Sequence, residues 1–274
     1  MSSVQADKAV ILAAGLGTRM RQAAARGEVS DVQANVAATG LKAMIPIDRP
    51  FLDYVLHALA DAGWTRLCLV IGPEHDAVRA YYSREVELRR VSIAFAVQHE
   101  RRGTAHAVLQ AEAFVDGAPC LVLNSDNYYP TAALRALRGH DGPATAAFTR
   151  RAMVERSNVP AERIAGYAVI EADGQSRLTR IIEKPDAATL AHFGDDAPIS
   201  MNCWRMPASI FEAARAIEPS PRGELELTDA VQHCIDRFGE RFTVLPFDEP
   251  VLDLSRQDDI ASVADRLRGQ RCEL

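Results

Sequence analysis

The segment Leu12-Ala13-Ala14-Gly15-Leu16-Gly17-Thr18-Arg19-Met20 combines the groups that hold a polyphosphate. Glycines at 15 and 17 permit a tight turn whose bare backbone N–H groups approach phosphate oxygens closely. Arg19, just beyond, adds a permanently charged and bidentate phosphate partner. The segment is not a Walker loop, because no Gly-Lys-Ser/Thr follows, and Met20 stands where the dinucleotide fingerprint needs its third glycine. A glycine turn alone is only a turn. It is the Ala-Ala before it and the Thr-Arg-Met after it that make an anion site of it.

Such a loop needs a strand beneath it. Lys8 to Ala14 is a short apolar run ending in glycine, which suits a strand buried on both faces. Phe51 to Ala62 carries Phe51, Leu52, Val55, Leu56 and Leu59 at helical spacing, with Gly63 as its stop. Arg66 to Gly72 predicts a second strand, Glu74 to Ser83 a helix, and Val91 to Gln98 a third strand. Thr104 to about Phe114 predicts a helix, and Cys120 to Leu123 a fourth strand running into Asn124-Ser125-Asp126. This βαβα alternation implies a parallel sheet with helices on both faces.

The second half is more mixed. Tyr167 to Glu171 and Leu178 to Glu183 predict strands around the turn Asp173-Gly174, and Ile199 to Met206 another. Leu227 to Phe238 and Gln257 to Leu267 predict amphipathic helices. Gln22 to Gly40 is poor in large apolar residues and is expected to be a mobile loop, with room for a short helix.

At 274 residues the chain can bury a sizeable core without disulfides. Its net charge of −6, from 31 basic and 37 acidic side chains, argues against a general nucleic-acid binder. Any phosphate site must be built from local groups. The five cysteines are scattered without a CxxC pair, which excludes a zinc knuckle and fits reduced thiols. No signal peptide or run of roughly 20 apolar residues is present, so the expectation is a cytoplasmic protein with no membrane partner.

Leu12 to Met20 closely resembles the LAAGxGTRM signature of sugar-phosphate nucleotidyltransferases. Further matches follow in the family's order. Leu41 to Ile47 resembles PKAMLPV, and Gly103-Thr104-Ala105-His106-Ala107-Val108, preceded by Gln98, resembles the base-recognition stretch. Asn124-Ser125-Asp126 resembles the aspartate-bearing strand end, Glu183-Lys184-Pro185 the EKP motif, and Glu224 to Asp229 a helix start. The resemblance covers most of the chain. It implies one domain over 1–274, a Rossmann-like α/β fold with a mixed, mostly parallel central sheet and helices on both faces. Residues 1–140 would form the nucleotide half and 141–274 the sugar-phosphate half, with no C-terminal β-helix.

The implied reaction is attack by the phosphate oxygen of a sugar 1-phosphate on the α-phosphorus of a nucleoside triphosphate, with pyrophosphate leaving. Both substrates are anions, so catalysis rests on positioning and charge neutralisation, with Mg²⁺ as cofactor. The resemblance assigns catalysis to Arg19, Lys42 and Lys184, and nucleotide contacts to Ala13, Ala14, Gly15, Gly17, Thr18, Gln98, Gly103 and Thr104. Tyr167, Glu183, Lys184 and Asn202 are the implied sugar-phosphate contacts. Asp126 and Asp253 are the implied metal ligands, Asp126 standing at a strand end where open α/β sheets place ligands. A side-chain amide at Gln98 matches the imide edge of uracil or thymine. His106 is expected to be a packing residue of its helix.

The chain departs from the family pattern in places. Gln22 and Leu41 replace prolines, the segment between Arg21 and Lys42 is long, and Ala168 replaces a glycine beside the sugar. Asp253 lacks the usual tryptophan before it and glycine after it. A non-sugar phosphate or phosphonate acceptor, or a catalytically silent nucleotide-binding subunit, are the alternative readings. A homo-oligomer is compatible with the sequence, which fixes neither base, sugar nor oligomeric state.

Overall fold

The computed structural model describes residues 6–22 and 29–274. Strands β1 (Lys8–Leu12), β2 (Arg66–Ile71), β3 (Ser92–Val97) and β4 (Cys120–Asn124) are parallel neighbours, β3-β2-β1-β4 across the sheet. They are the four apolar runs of the first half; burial on both faces makes β1, β2 and β4 read as continuous rather than alternating, while β3, at the sheet edge, is only half-buried. A tiny strand β5 (Asn127–Tyr128) follows, then β6 (Ala144–Thr149). The second half adds β7 (Val169–Ala172), β8 (Leu178–Ile182), β9 (Pro198–Met206), β10 (Thr243–Phe247) and β11 (Leu252–Asp253).

One nine-stranded sheet joins the halves in the order β10-β6-β9-β4-β1-β2-β3, with β7 paired to β8 and β9. Strand β9 runs antiparallel to both β4 and β6, so only β8 and β9 oppose the common strand direction. The sheet is therefore mixed and mostly parallel, as the resemblance implies. Alternate residues send their side chains to opposite faces. Ala9 and Ile11 join a core with the helix Phe51–Asp61, whereas Val10 joins a second core with the helices Thr104–Leu109 and Leu227–Phe238. Each large aliphatic side chain buried in these layers contributes about 1.5–3 kcal/mol.

Several elements differ from the sequence reading. The expected helix over Glu74–Ser83 is an α-turn over Asp76–Ala80 that widens into a π-turn at Tyr81–Glu85. The helix after Thr104 breaks at Leu109 and restarts at Glu112–Val115. Within the expected loop Gln22–Gly40, residues 23–28 lie outside the described residues, and Asp31–Thr39 is a helix. Ser30 and Gln33 form a reciprocal capping box at its start, and Gly40 closes its end at φ 79°. Among the described residues no helix is long and apolar enough to cross a membrane.

Candidate active site

The β1 exit opens a cleft of about 460 Å³ at the carboxyl ends of β1, β3 and β4. Ala13, Ala14, Gly15 and Thr18 line it together with Gln98, Gly103 and Thr104. Lys42 and Asp126 line it too. The sites predicted for nucleotide phosphates and base thus share one depression, where open α/β sheets place their ligands.

The loop is held by a close backbone contact. Gly17 has φ 60°, and a Cβ there would sit 2.2 Å from the Gly40 carbonyl oxygen. Only glycine at both positions allows this approach. It docks the end of the Asp31–Thr39 helix on the loop, and Arg21 adds a 2.8 Å bond to the Thr39 carbonyl. Among the described residues, the backbone N–H groups of Ala14, Gly15, Leu16 and Gly17 donate to no protein acceptor. Orphan donors beside a cleft need a partner, and phosphate oxygens supply one. Arg19 is exposed in the following turn, outside the cleft lining, and its charge bears on Lys42.

Lys42 Nζ donates to Asp126 Oδ2 at 2.6 Å. Burial alone would push the Lys42 ammonium down, but Asp126 and the more distant Asp253 outweigh it and raise it. It is therefore charged throughout the neutral range. Asp126 meets Asp253 because β5 and β11 pair antiparallel, setting Asn127 opposite Asp253, while Leu254 N–H donates to the Asp126 carbonyl at 2.8 Å. Asn158 clamps the Asp253 backbone from both sides, at 2.8 and 2.9 Å. Asp253 is only 4% exposed. Burial pushes its carboxyl above the usual carboxylate range, and repulsion from Asp126 pushes it further. Ser255, Tyr167 and Arg163 offset part of this, through two hydroxyl hydrogen bonds and a 3.7 Å ion pair.

Two repelling carboxylates are a fit for a hard divalent cation, which takes oxygen ligands and relieves the repulsion. Among the described residues no cluster of three or more His, Cys, Asp or Glu side chains forms. Asp126 and Asp253 would thus supply only part of a coordination sphere, leaving the rest to water and phosphate oxygens, as magnesium prefers.

The predicted sugar-phosphate residues lie outside the cleft lining. Tyr167 points its hydroxyl at Asp253 Oδ2, 2.5 Å away. Asn202 accepts a 3.4 Å bond from the Trp204 indole. Glu183 is exposed, yet partial desolvation of its carboxyl and then Glu226 push it above the usual carboxylate range, which ties it to the segment whose Glu224 reaches the cleft. Lys184 is exposed and forms no ion pair among the described residues. Lys184 and Asn202 both hold positive φ, 47° and 53°. Non-glycine residues in this region cost about 1–3 kcal/mol and cluster at ligand sites.

The sequence model of the nucleotidyl transferase family matches residues 8–249. The chain belongs to that family. Among relatives of this nucleotidyltransferase is the UTP–glucose-1-phosphate uridylyltransferase AglF of Haloferax volcanii, 28% identical over 96% of this chain and 97% of AglF. A glucose-1-phosphate thymidylyltransferase of Streptomyces antibioticus is 32% identical over 84% of this chain and 57% of its own length. The chain thus spans nearly all of the first relative and little more than half of the second. A UDP-glucose pyrophosphorylase solved with UDP-glucose superposes with a TM-score of 0.75 at 18% identity, covering 97% of this chain and 99% of that one. That likeness shows the fold.

Some site residues escape sequence reasoning. His75 is 3% exposed on the cleft wall, and its Nδ1 accepts the Gly72 N–H at 3.2 Å. Arg101 bonds the Ala14 carbonyl at 2.8 Å and pairs with Glu74. Arg163, paired with both Asp253 and Asp259, carries no motif at all. Arg101 and Arg163 act across contacts between distant segments, and only the Ser at 255 in place of glycine was visible as a departure.

Proposed function

We propose that this nucleotidyltransferase condenses UTP or dTTP with a sugar 1-phosphate, giving an NDP-sugar and pyrophosphate in a magnesium-dependent reaction. The observation that carries this reading is the meeting of unpartnered loop N–H groups with the Lys42–Asp126 pair at one cleft, the buried Asp253 being brought beside Asp126 by the pairing of β5 with β11. A module that only binds nucleotide does not need cations for two phosphate groups, Arg19, Lys42 and Lys184, besides a metal ligand at Asp126. Kinship with enzymes named for uridylyl and thymidylyl transfer to glucose 1-phosphate supports the same substrates.

The acceptor oxygen attacks the α-phosphorus, the bond to the bridging oxygen breaks, and its electron pair leaves with pyrophosphate. The loop N–H groups of residues 14–17 hold the leaving phosphates, and Arg19 meets the charge that grows on them. Lys42, kept charged by Asp126, stands between the triphosphate and the carboxylates. Lys184 draws the sugar phosphate toward the nucleotide, and Glu183 and Asn202 bind sugar hydroxyls. Bound at Asp126 and Asp253, magnesium supplies positive charge that offsets repulsion between the two anionic substrates. No covalent enzyme intermediate is needed, so rate comes from alignment and charge.

The test is pyrophosphate release across a matrix of nucleoside triphosphates and sugar 1-phosphates, with each acceptor omitted in turn. Release with UTP or dTTP that requires a sugar 1-phosphate is expected. Release only with a non-sugar phosphate or phosphonate would reassign the acceptor, and none with any pair would indicate a silent nucleotide-binding subunit.

A further inference from the structure

Gln98 is 4% exposed at the end of β3, and its backbone N–H donates to the Ile71 carbonyl at 2.8 Å. Its side-chain Nε2 donates to the Gly103 carbonyl at 3.1 Å and lies 3.2 Å from His106 Nδ1. A carbonyl oxygen can only accept, so Gly103 fixes which end of the amide faces it. The second amide proton then points at His106 Nδ1, which accepts it in the tautomer carrying its proton on Nε2; Gln110 Nε2, donating to the His106 carbonyl at 3.0 Å, lies 3.5 Å from that Nε2. Both N–H donors are spent inside the protein. The Gln98 Oε1 atom has no protein partner among the described residues, and the side chain lines the cleft. Gln98 therefore offers the cleft an acceptor only.

We propose that His106 is a positioning residue that sets base specificity by holding the Gln98 amide with its oxygen forward. The inference rests on the uracil or thymine reading above. An acceptor at this point matches the protonated N3 of an imide and opposes the bare N3 lone pair of cytosine. The complementary donor is at hand, because the Gly103 backbone N–H has no partner among the described residues. Gly103 cannot shift to adapt: its φ is 105°, and Leu225 backbone atoms crowd the space where a Cβ would stand. Its carbonyl is shared, since Ala107 N–H also donates to it at 3.1 Å. His106 Nδ1 is thus the one acceptor given over to Gln98. Without it, rotation of the amide to present N–H to cytosine costs one clash instead of two.

The experiment compares kcat/KM for UTP, dTTP and CTP in wild type, His106→Leu and His106→Asn. Asparagine can place an oxygen acceptor where Nδ1 stood, and leucine cannot. The UTP-to-CTP ratio should fall about tenfold in His106→Leu, the worth of one misaligned hydrogen bond, and recover in His106→Asn. An unchanged ratio in folded His106→Leu overturns the proposal, as does failure of His106→Asn to recover it. Wild-type enzyme that turns over neither UTP nor dTTP overturns the parent reading first, and this one with it. Nitrogen NMR of the wild-type imidazole gives a check that needs no variant to fold. It should show the proton on Nε2 and a bare Nδ1, and a protonated Nδ1 at neutral pH refutes the proposal.

Discussion

Replacing Lys42 by methionine should destabilise the protein more than replacing Asp126 by asparagine, although both substitutions break the same 2.6 Å pair. The two side chains are 21% and 22% exposed, so solvent screens the pair only partly. A hydrogen bond between charged groups of this kind is worth about 1.5–3 kcal/mol. Lys42→Met forfeits it and leaves Asp126 without its cation beside Asp253, whose own partner Arg163 stays 3.7 Å away. The expected loss is therefore at the upper end, about 2–3 kcal/mol. Asp126→Asn keeps a charge-assisted hydrogen bond from the Lys42 ammonium to the amide oxygen and removes the repulsion on Asp253, so its loss should stay below about 1 kcal/mol. For a chain of this size these losses correspond to Tm drops of roughly 4–10 °C against less than about 4 °C. Thermal and urea unfolding of metal-free protein measure both. Saturating magnesium should narrow the Lys42→Met deficit, because the ion supplies the missing charge. A Lys42→Met variant as stable as wild type, or an Asp126→Asn variant less stable than it, would refute the electrostatic reasoning.

Gly103→Ala places a Cβ 2.4 Å from the Leu225 carbonyl oxygen at φ 105°. Strain and overpacking together should cost about 2–4 kcal/mol in urea unfolding, and KM for the nucleotide should rise more than kcat falls. Arg19→Ala removes an exposed cation with no ion pair among the described residues, so stability should stay within about 0.5 kcal/mol of wild type. Its kcat should nevertheless fall by about 10²–10³ if Arg19 meets the leaving charge; near-normal turnover would remove it from the catalytic set. Burial, with a smaller push from Arg101, holds the His75 imidazole below its ordinary value of 6.5. As pH falls through 6.5 the unfolded chain takes up that proton while the folded one does not, so stability should drop toward acid. The slope from this residue is at most about 1.4 kcal/mol per pH unit, and His75→Gln should flatten it in pH-dependent urea titrations.

The first half was legible because its physics is local. Ile11, Leu69 and Leu123 lie in runs apolar on every residue, the mark of strands buried on both faces. Strand β6, Ala144-Thr145-Ala146-Ala147-Phe148-Thr149, hides because alanine favours helices, and only packing between β9 and β10 makes it a strand. Pro246 disguises β10 in the same way, tolerated because β10 is at the sheet edge. The helix Asp31–Thr39 did leave a signal, Ser30-x-x-Gln33 with Gly40 beyond, which the shortage of large apolar residues masked.

At the site, the loop, Lys42 and Asp126 could be read from motifs, but the hold on Asp253 could not. Ser255 reaches it from two residues on, but Tyr167 and Arg163 come from a segment some 90 residues earlier, and no spacing in the chain records that meeting. His106 shows the same limit. In a helix pattern it is a packing residue, and only its 3.2 Å approach to Gln98 gives it another role.

The most direct test of the central claim is ³¹P NMR of the protein with magnesium, UTP or dTTP, and glucose 1-phosphate. The account predicts loss of the triphosphate signals with matched growth of pyrophosphate and of the paired diester resonances of an NDP-sugar, abolished in Asp126→Ala. Unchanged triphosphate across sugar 1-phosphates, or its hydrolysis without a new diester, would contradict it.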